Sequence, residues 1–363
     1  MGLFDRFHEE SLYKQAYGLF NDGKYSEALD ICDHIIEIDS SLDAVWNLKG
    51  YIYLENREFN DSIEYFKKAL EFNDNNAKAF LNMGQAHLEL KNYSDALDCF
   101  DNVLKIDSKN VKAWYNKGLT LQIIGKYDES IEAYDMVLKW DKENVEALIN
   151  KSDILGNLKK YPEQLKCLEK SLKMDPENIA ALINKGSVLR KLQKTDEALN
   201  CYDKVLEINP ENSDAWNNKG NLYLRIGDCE KALKCFNTAL EINSDSIITW
   251  FNRGLVFRNL KNFNEEIKSY EMALKLDQNY FNAWFNKGIA WVSIEDYEKG
   301  LECLENASKI EPQNPKVFYI KGLTFQLINK NVKAMECLDK SLELDPTNLN
   351  VQKAKKRLLA KME

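Results

Sequence analysis

The feature that most constrains this chain is a glycine that returns every 34 residues. Gly stands at 50, 84, 118, 186, 220, 254, 288 and 322, and Ser152 fills the one skipped step. Four residues upstream there is always a large apolar residue: Trp46, Phe80, Trp114, Leu148, Leu182, Trp216, Trp250, Trp284, Phe318. Twelve residues downstream the position is small in most units, as at Ala96, Ala198, Ala232 and Ala334. Four further on it is large again, from Phe66 and Phe100 through Tyr134, Leu168, Tyr202, Phe236 and Tyr270 to Leu304 and Leu338. A period of this length marks a stack of supersecondary units. None can bury its own apolar face, so each neighbour supplies part of the core.

Inside a unit the spacing predicts two helices. Apolar residues recur at helical intervals in windows such as 111–124, giving one buried stripe. A short turn, with Gly in Gly125-Lys126 and Gly227-Asp228, leads into a second amphipathic helix. Small residues at places eight and twenty let two helices cross closely, and the bulky ones at four and twenty-four fill the space beside them. All six prolines fall at turns or helix starts, where a missing N–H is tolerated. The expected fold is all-α, a single array of ten units beginning at 9, 43, 77, 111, 145, 179, 213, 247, 281 and 315. Residues 1–8 form an N-terminal lead-in. The first unit, with Leu12 and Ala16 for Trp and Gly, reads as a degenerate cap. Residues 349–363 read as an amphipathic capping helix with a basic outer face.

The residues at these places resemble the tetratricopeptide repeat, whose pattern sets Trp, Gly, Tyr, Ala, Phe, Ala and Pro at fixed places in 34 residues. The likeness covers almost the whole chain. It implies a right-handed superhelical solenoid of ten helix-turn-helix repeats plus the C-terminal capping helix. It also implies that the first helices line a concave groove, with places two, five, six, nine, twelve and thirteen of each unit facing it.

Composition excludes several functions. With 49 Lys and Arg against 58 Asp and Glu, the net charge is −9, which argues against a nucleic-acid partner. No apolar run is long enough to span a membrane, and the first residues lack a secretory pattern, so the expected location is the cytoplasm. Six of the eight cysteines (Cys99, Cys167, Cys201, Cys235, Cys303, Cys337) share one place in their units and read as small packing residues. His8, His34 and His87 lie far apart, and there is neither a phosphate loop nor a Ser-His-Asp set. No enzyme, cofactor or metal site is expected.

Candidate binding residues then come from the groove places. Place six carries Asn82, Asn116, Asn150, Asn184, Asn218, Asn252 and Asn286 in seven consecutive units. A carboxamide both donates and accepts, so such a row can hold the backbone of an extended peptide. It resembles the asparagine ladder in the repeat region of the O-linked N-acetylglucosamine transferase. Alternatively, the row records repeat duplication, or its amides pair between neighbouring helices. Place five is apolar or aromatic in eight units, with Tyr115, Phe251, Phe285 and Tyr319 the main aromatic candidates; it either meets a partner's side chains or packs on the next helix. Arg190, Lys191, Arg225 and Arg258 form a basic cluster that would suit an acidic stretch, or else bridge to neighbouring carboxylates. The cations of the family's two-carboxylate clamp are absent, since Asn282 stands where a Lys is required. The function expected is a protein-protein interaction scaffold for an extended or unstructured peptide segment, as a monomer or weak homo-oligomer. The alternative is a self-assembling solenoid with no peptide ligand.

Overall fold

The computed structural model describes residues 3–362, with side chains from Glu9 onward. Every element among the described residues is an α-helix. The chain divides into two compact units, one ending at Asn184 and the other beginning at Lys185. The 34-residue period runs through this division without a break. In a stack where each repeat touches only its neighbours, the chain can separate into compact units without any change in the repeat.

The first unit holds α1 (Leu3–Asn21), α2 (Tyr25–Ile38), α3 (Asp43–Glu55), α4 (Phe59–Phe72) and α5 (Ala77–Glu89). There follow α6 (Tyr93–Ile106), α7 (Val111–Ile123), α8 (Tyr127–Trp140), α9 (Val145–Asn157) and α10 (Tyr161–Met174). The division falls inside α11 (Ile179–Lys191). The second unit continues with α12 (Thr195–Ile208), α13 (Ser213–Ile226), α14 (Cys229–Ile242), α15 (Ile247–Asn259) and α16 (Phe263–Leu276). It ends with α17 (Phe281–Ser293), α18 (Tyr297–Ile310), α19 (Pro315–Leu327), α20 (Asn331–Leu344) and α21 (Leu349–Met362). Of the lead-in, Leu3 onward already belongs to α1, while residues 1, 2 and 363 lie outside the described residues.

Within each unit, successive first helices meet one another (α3 with α5, α5 with α7, α13 with α15, α17 with α19), as well as their hairpin partners. They therefore form the tighter layer. Close crossing inside a hairpin depends on the glycine. A Cβ at Gly84 would stand 2.6 Å from the Phe100 ring, and one at Gly220 would stand 2.7 Å from Phe236. At the skipped step Ser152 is buried and its hydroxyl donates to the Ile149 carbonyl at 2.7 Å. Phe66, Phe100, Tyr134, Tyr202, Phe236 and Tyr270 are fully buried, each side chain contributing about 1.5–3 kcal/mol.

Polar side chains fix the joints. Asn76, Asn110, Asn144, Asn178 and Asn212 accept from the N–H three residues on, at 2.8–3.0 Å, and so cap the first helices. The indoles of Trp46, Trp114, Trp216, Trp250 and Trp284 each donate to a loop carbonyl six residues back, at 2.8–2.9 Å. In α21, Gln352 makes the same bond to the Pro346 carbonyl at 2.7 Å, so this helix docks as the first helix of a further repeat would.

A charged ladder joins the hairpins. The place-seven lysine pairs with the carboxylate sixteen residues earlier in Lys117–Asp101 and Lys219–Asp203 (2.5 Å), Lys287–Glu271 (2.9 Å), Lys321–Glu305 (2.5 Å) and Lys355–Asp339 (2.6 Å). Lys49–Asp33 and Lys151–Asp135 pair likewise. Where Asn237 replaces the carboxylate, Arg253 donates to its carbonyl and to Ser269, both at 2.9 Å.

The turn between paired helices departs from expectation. Its fifteenth place takes a left-handed φ throughout the described repeats, yet Gly occupies it only at 23, 125 and 227. Arg57, Lys91, Lys159, Gln193, Lys261, Glu295 and Asn329 adopt φ of 56–64° instead. The helix C-terminal bonds, such as Asn92 N–H to the His87 carbonyl, hold them in that strained region.

Candidate functional site

The inner layer of first helices carries the candidate residues. In the first unit, α3, α5 and α7 share one recess of about 380 Å³, lined by Leu54, Glu55, Gln85, Leu88, Glu89, Asn116 and Leu119, with Arg57 and Phe59 at its edge. Those seven residues hold places six, nine, twelve and thirteen of three successive repeats.

The asparagine row divides into two groups. Asn82, Asn116 and Asn218 are half-buried and make no side-chain hydrogen bond among the described residues. The others reach the preceding repeat. Asn150 Nδ2 donates to the Tyr115 hydroxyl at 3.0 Å, Asn184 Nδ2 to Asp153 Oδ1 at 2.7 Å, and Asn252 Nδ2 to Asn217 Oδ1 at 3.2 Å. Asn286 accepts from Arg258 Nη1 at 2.5 Å and donates to the Asn282 carbonyl at 2.7 Å. Burial raises the Asp153 carboxyl pKa above its ordinary value.

The place-five aromatics are half-buried and engaged in packing. Tyr115 lies edge-on to Tyr134 with centroids 5.9 Å apart, and burial raises its hydroxyl pKa. Phe251 meets Tyr270 (5.6 Å) and Tyr280 (5.4 Å), while Phe285 stacks on Phe281 (5.7 Å). Tyr319 packs against the Leu338 and Leu358 cluster. Beside these aromatics, Leu327 is exposed, while Leu255, Ile289, Val292 and Leu323 are half-buried.

The arginines behave differently. Arg225 is exposed and donates from Nη1 to the Arg190 backbone carbonyl at 3.2 Å, which brings its guanidinium to the end of α11; the next residue, Lys191, is exposed. Among the described residues, Arg190, Arg225 and Arg258 have no carboxylate within ion-pair distance.

One residue escaped sequence reasoning. Glu266 occupies the twentieth place, where other repeats have Ala28, Ala96, Ala198, Ala232 and Ala334, and it is 1% exposed. Its carboxylate oxygens and the buried Tyr270 hydroxyl make no hydrogen bond of ordinary geometry, but the two groups lie near enough for the hydroxyl to favour the carboxylate. Burial pushes the Glu266 pKa up to about 7, opposed by the Arg258 charge. Its signal was a charge at a place that is small in eight of the ten repeats.

The cysteines are all free thiols. Burial pushes Cys99 up to about 12 and Cys235 and Cys303 to about 11, so they stay protonated and poorly nucleophilic. Among the described residues, no cluster of three metal-ligating side chains occurs, and no helix is long and apolar enough to cross a membrane.

Paired helices at a 34-residue period, with close Gly–aromatic crossings, define a repeat protein of stacked helical hairpins. The tetratricopeptide repeat description matches residues 44–76, 77–110, 99–132, 145–178, 177–245, 211–279 and 315–348. The chain belongs to the tetratricopeptide repeat family. Among solved structures it is similar to the Cut9–Hcn1 hetero-tetramer of the APC/C (15% identity, 97% of this chain and 83% of that one, TM-score 0.55). It is also similar to yeast Tom70 (14% identity, 98% and 96%, TM-score 0.52). YrrB, described as a tetratricopeptide repeat protein with an unusual peptide-binding site, matches over 52% of this chain and 96% of its own (26% identity, TM-score 0.46). No curated protein matches the chain.

Proposed function

We propose that this protein is a non-catalytic interaction scaffold that holds an extended partner segment against its first helices, and that the second unit takes an acidic stretch of it. The observation that carries this reading is the trio Arg190, Arg225 and Arg258. Among the described residues none of the three has a carboxylate within ion-pair distance, and only Arg258 has one, the buried Glu266, near enough to feel its charge, in a chain whose net charge is −9. An acidic protein has carboxylates to spare for pairing, so guanidinium groups left without one favour an anion from outside. The free amides of Asn82, Asn116 and Asn218 would serve a peptide backbone, while Asn150, Asn184, Asn252 and Asn286 are already occupied between repeats.

A fluorescent ten-residue aspartate peptide tests the reading by anisotropy, with a ten-residue lysine peptide as control. The scaffold should bind the acidic probe more tightly, and Arg190→Ala with Arg225→Ala should weaken it about tenfold, each solvent-accessible guanidinium–carboxylate contact being worth roughly 0.5–1 kcal/mol. Equal binding of both peptides, or no loss in the variant, would overturn the acidic-segment reading.

A further inference from the structure

The second unit contains a carboxylate that no packing argument explains. Glu266 stands at a place where an alanine suffices in five other repeats, and it is almost fully enclosed between α15 and α16. Arg258 of α15 supplies the positive charge that acts on it, and the Tyr270 hydroxyl one turn on is its polar neighbour. The same two places, twelve and twenty, face each other in other repeats: a Cβ on Gly156 would stand 2.7 Å from the Gln164 amide, and one on Gly300 would stand 2.6 Å from Val292. From α17, neutral Asn286 holds Arg258 through Nη1 at 2.5 Å. Of the other charges on these helices, Arg253 and Lys268 pair with Glu265 (3.6 and 2.6 Å) and Lys287 with Glu271 (2.9 Å), while Lys275 is exposed in the last turn of α16.

We infer that Glu266 is a proton-operated switch on the arginine site, cancelling the charge of Arg258 when ionised and releasing it for an acidic partner when protonated. The inference rests on the proposed acid-binding role of Arg258 and adds its regulation. With Glu266 ionised, the pair carries no net charge. With Glu266 neutral, the site gains one positive charge that only the partner can satisfy. The burial that raises this pKa to about 7 sets the change near neutrality. An isolated charge placed so close to an incoming carboxylate changes affinity by roughly three- to tenfold at the dielectric of a protein surface.

The test compares wild type with Glu266→Gln, using the ten-residue aspartate peptide, whose carboxylates are ionised throughout, at pH 6 and pH 8. Wild-type affinity should rise about three- to tenfold at pH 6. Glu266→Gln should keep the tighter affinity at both values. Histidine titration elsewhere would act on both proteins alike, so an equal pH response in the two would overturn the switch. A second readout does not need the peptide. In protein labelled at arginine Nε, the Arg258 resonance should shift between pH 6 and 8 in wild type but not in Glu266→Gln. A peptide that binds neither protein would refute the acidic-partner reading, and the switch would still be decided by that resonance. An Arg258 signal that is indifferent to pH overturns it.

Discussion

Arg258 Nη1 donates to Asn286 Oδ1 at 2.5 Å, tying the twelfth place of one repeat to the sixth place of the next. The contact links the two candidate binding rows, so an asparagine first read as a peptide contact instead aims an arginine. Asn286→Ala should cost about 1–2 kcal/mol of stability by removing a hydrogen bond to a charged group. Urea unfolding measures the cost. The same variant should leave Arg258 chemically competent, so affinity for an acidic peptide should fall less than in Arg258→Ala.

Glu266 gives a pH dependence with a definite sign. Its carboxyl titrates near 4.5 when unfolded and near 7 when folded, so the folded state binds the proton more tightly. Its contribution to stability is therefore fully present below about pH 4.5, falls as pH rises through 7, and levels off above. The total loss is at most about 3 kcal/mol. Unfolding free energies of wild type minus Glu266→Gln, measured from pH 5 to 8, should decline across that window. Glu266→Ala should be more stable than wild type at pH 8.

The lysine ladder predicts a modest coupling. Lys117 Nζ lies 2.5 Å from Asp101 and 5.5 Å from the Trp114 ring centroid, with most of its stem covered. A double-mutant cycle with Lys117→Met and Asp101→Asn should give about 0.5–1 kcal/mol, falling in high salt because Asp101 is exposed.

The left-handed turns can be relaxed. Lys159 holds φ 58° without the freedom of glycine. Lys159→Gly should stabilise by up to about 1 kcal/mol, less the entropy gained by the unfolded chain, whereas Gly227→Ala should destabilise by a similar amount. Thermal melts of the two single variants should therefore shift in opposite directions.

Much of the fold was legible because packing repeats with the sequence. A missing side chain at Gly84 needs Phe100 sixteen residues on, and that relation recurs wherever the period does. The side-chain pairings were less legible. Nothing in the Asn-Lys-Gly spacing distinguishes Asn116, whose amide is free, from Asn150, which finds Tyr115 one repeat back. That difference depends on what the preceding helix offers at its fifth and ninth places. Glu266 was visible only as an exception, and its meaning depends on Arg258 lying across the hairpin.

Hydroxyl-radical footprinting of the second unit, with and without the ten-residue aspartate peptide, tests the central claim most directly. The account predicts protection of Leu224 and Leu255, on α13 and α15, while Met272 and Leu276 on α16 remain as reactive as in the free protein. Protection confined to α16, or none at saturating peptide, would contradict a binding surface on the first helices.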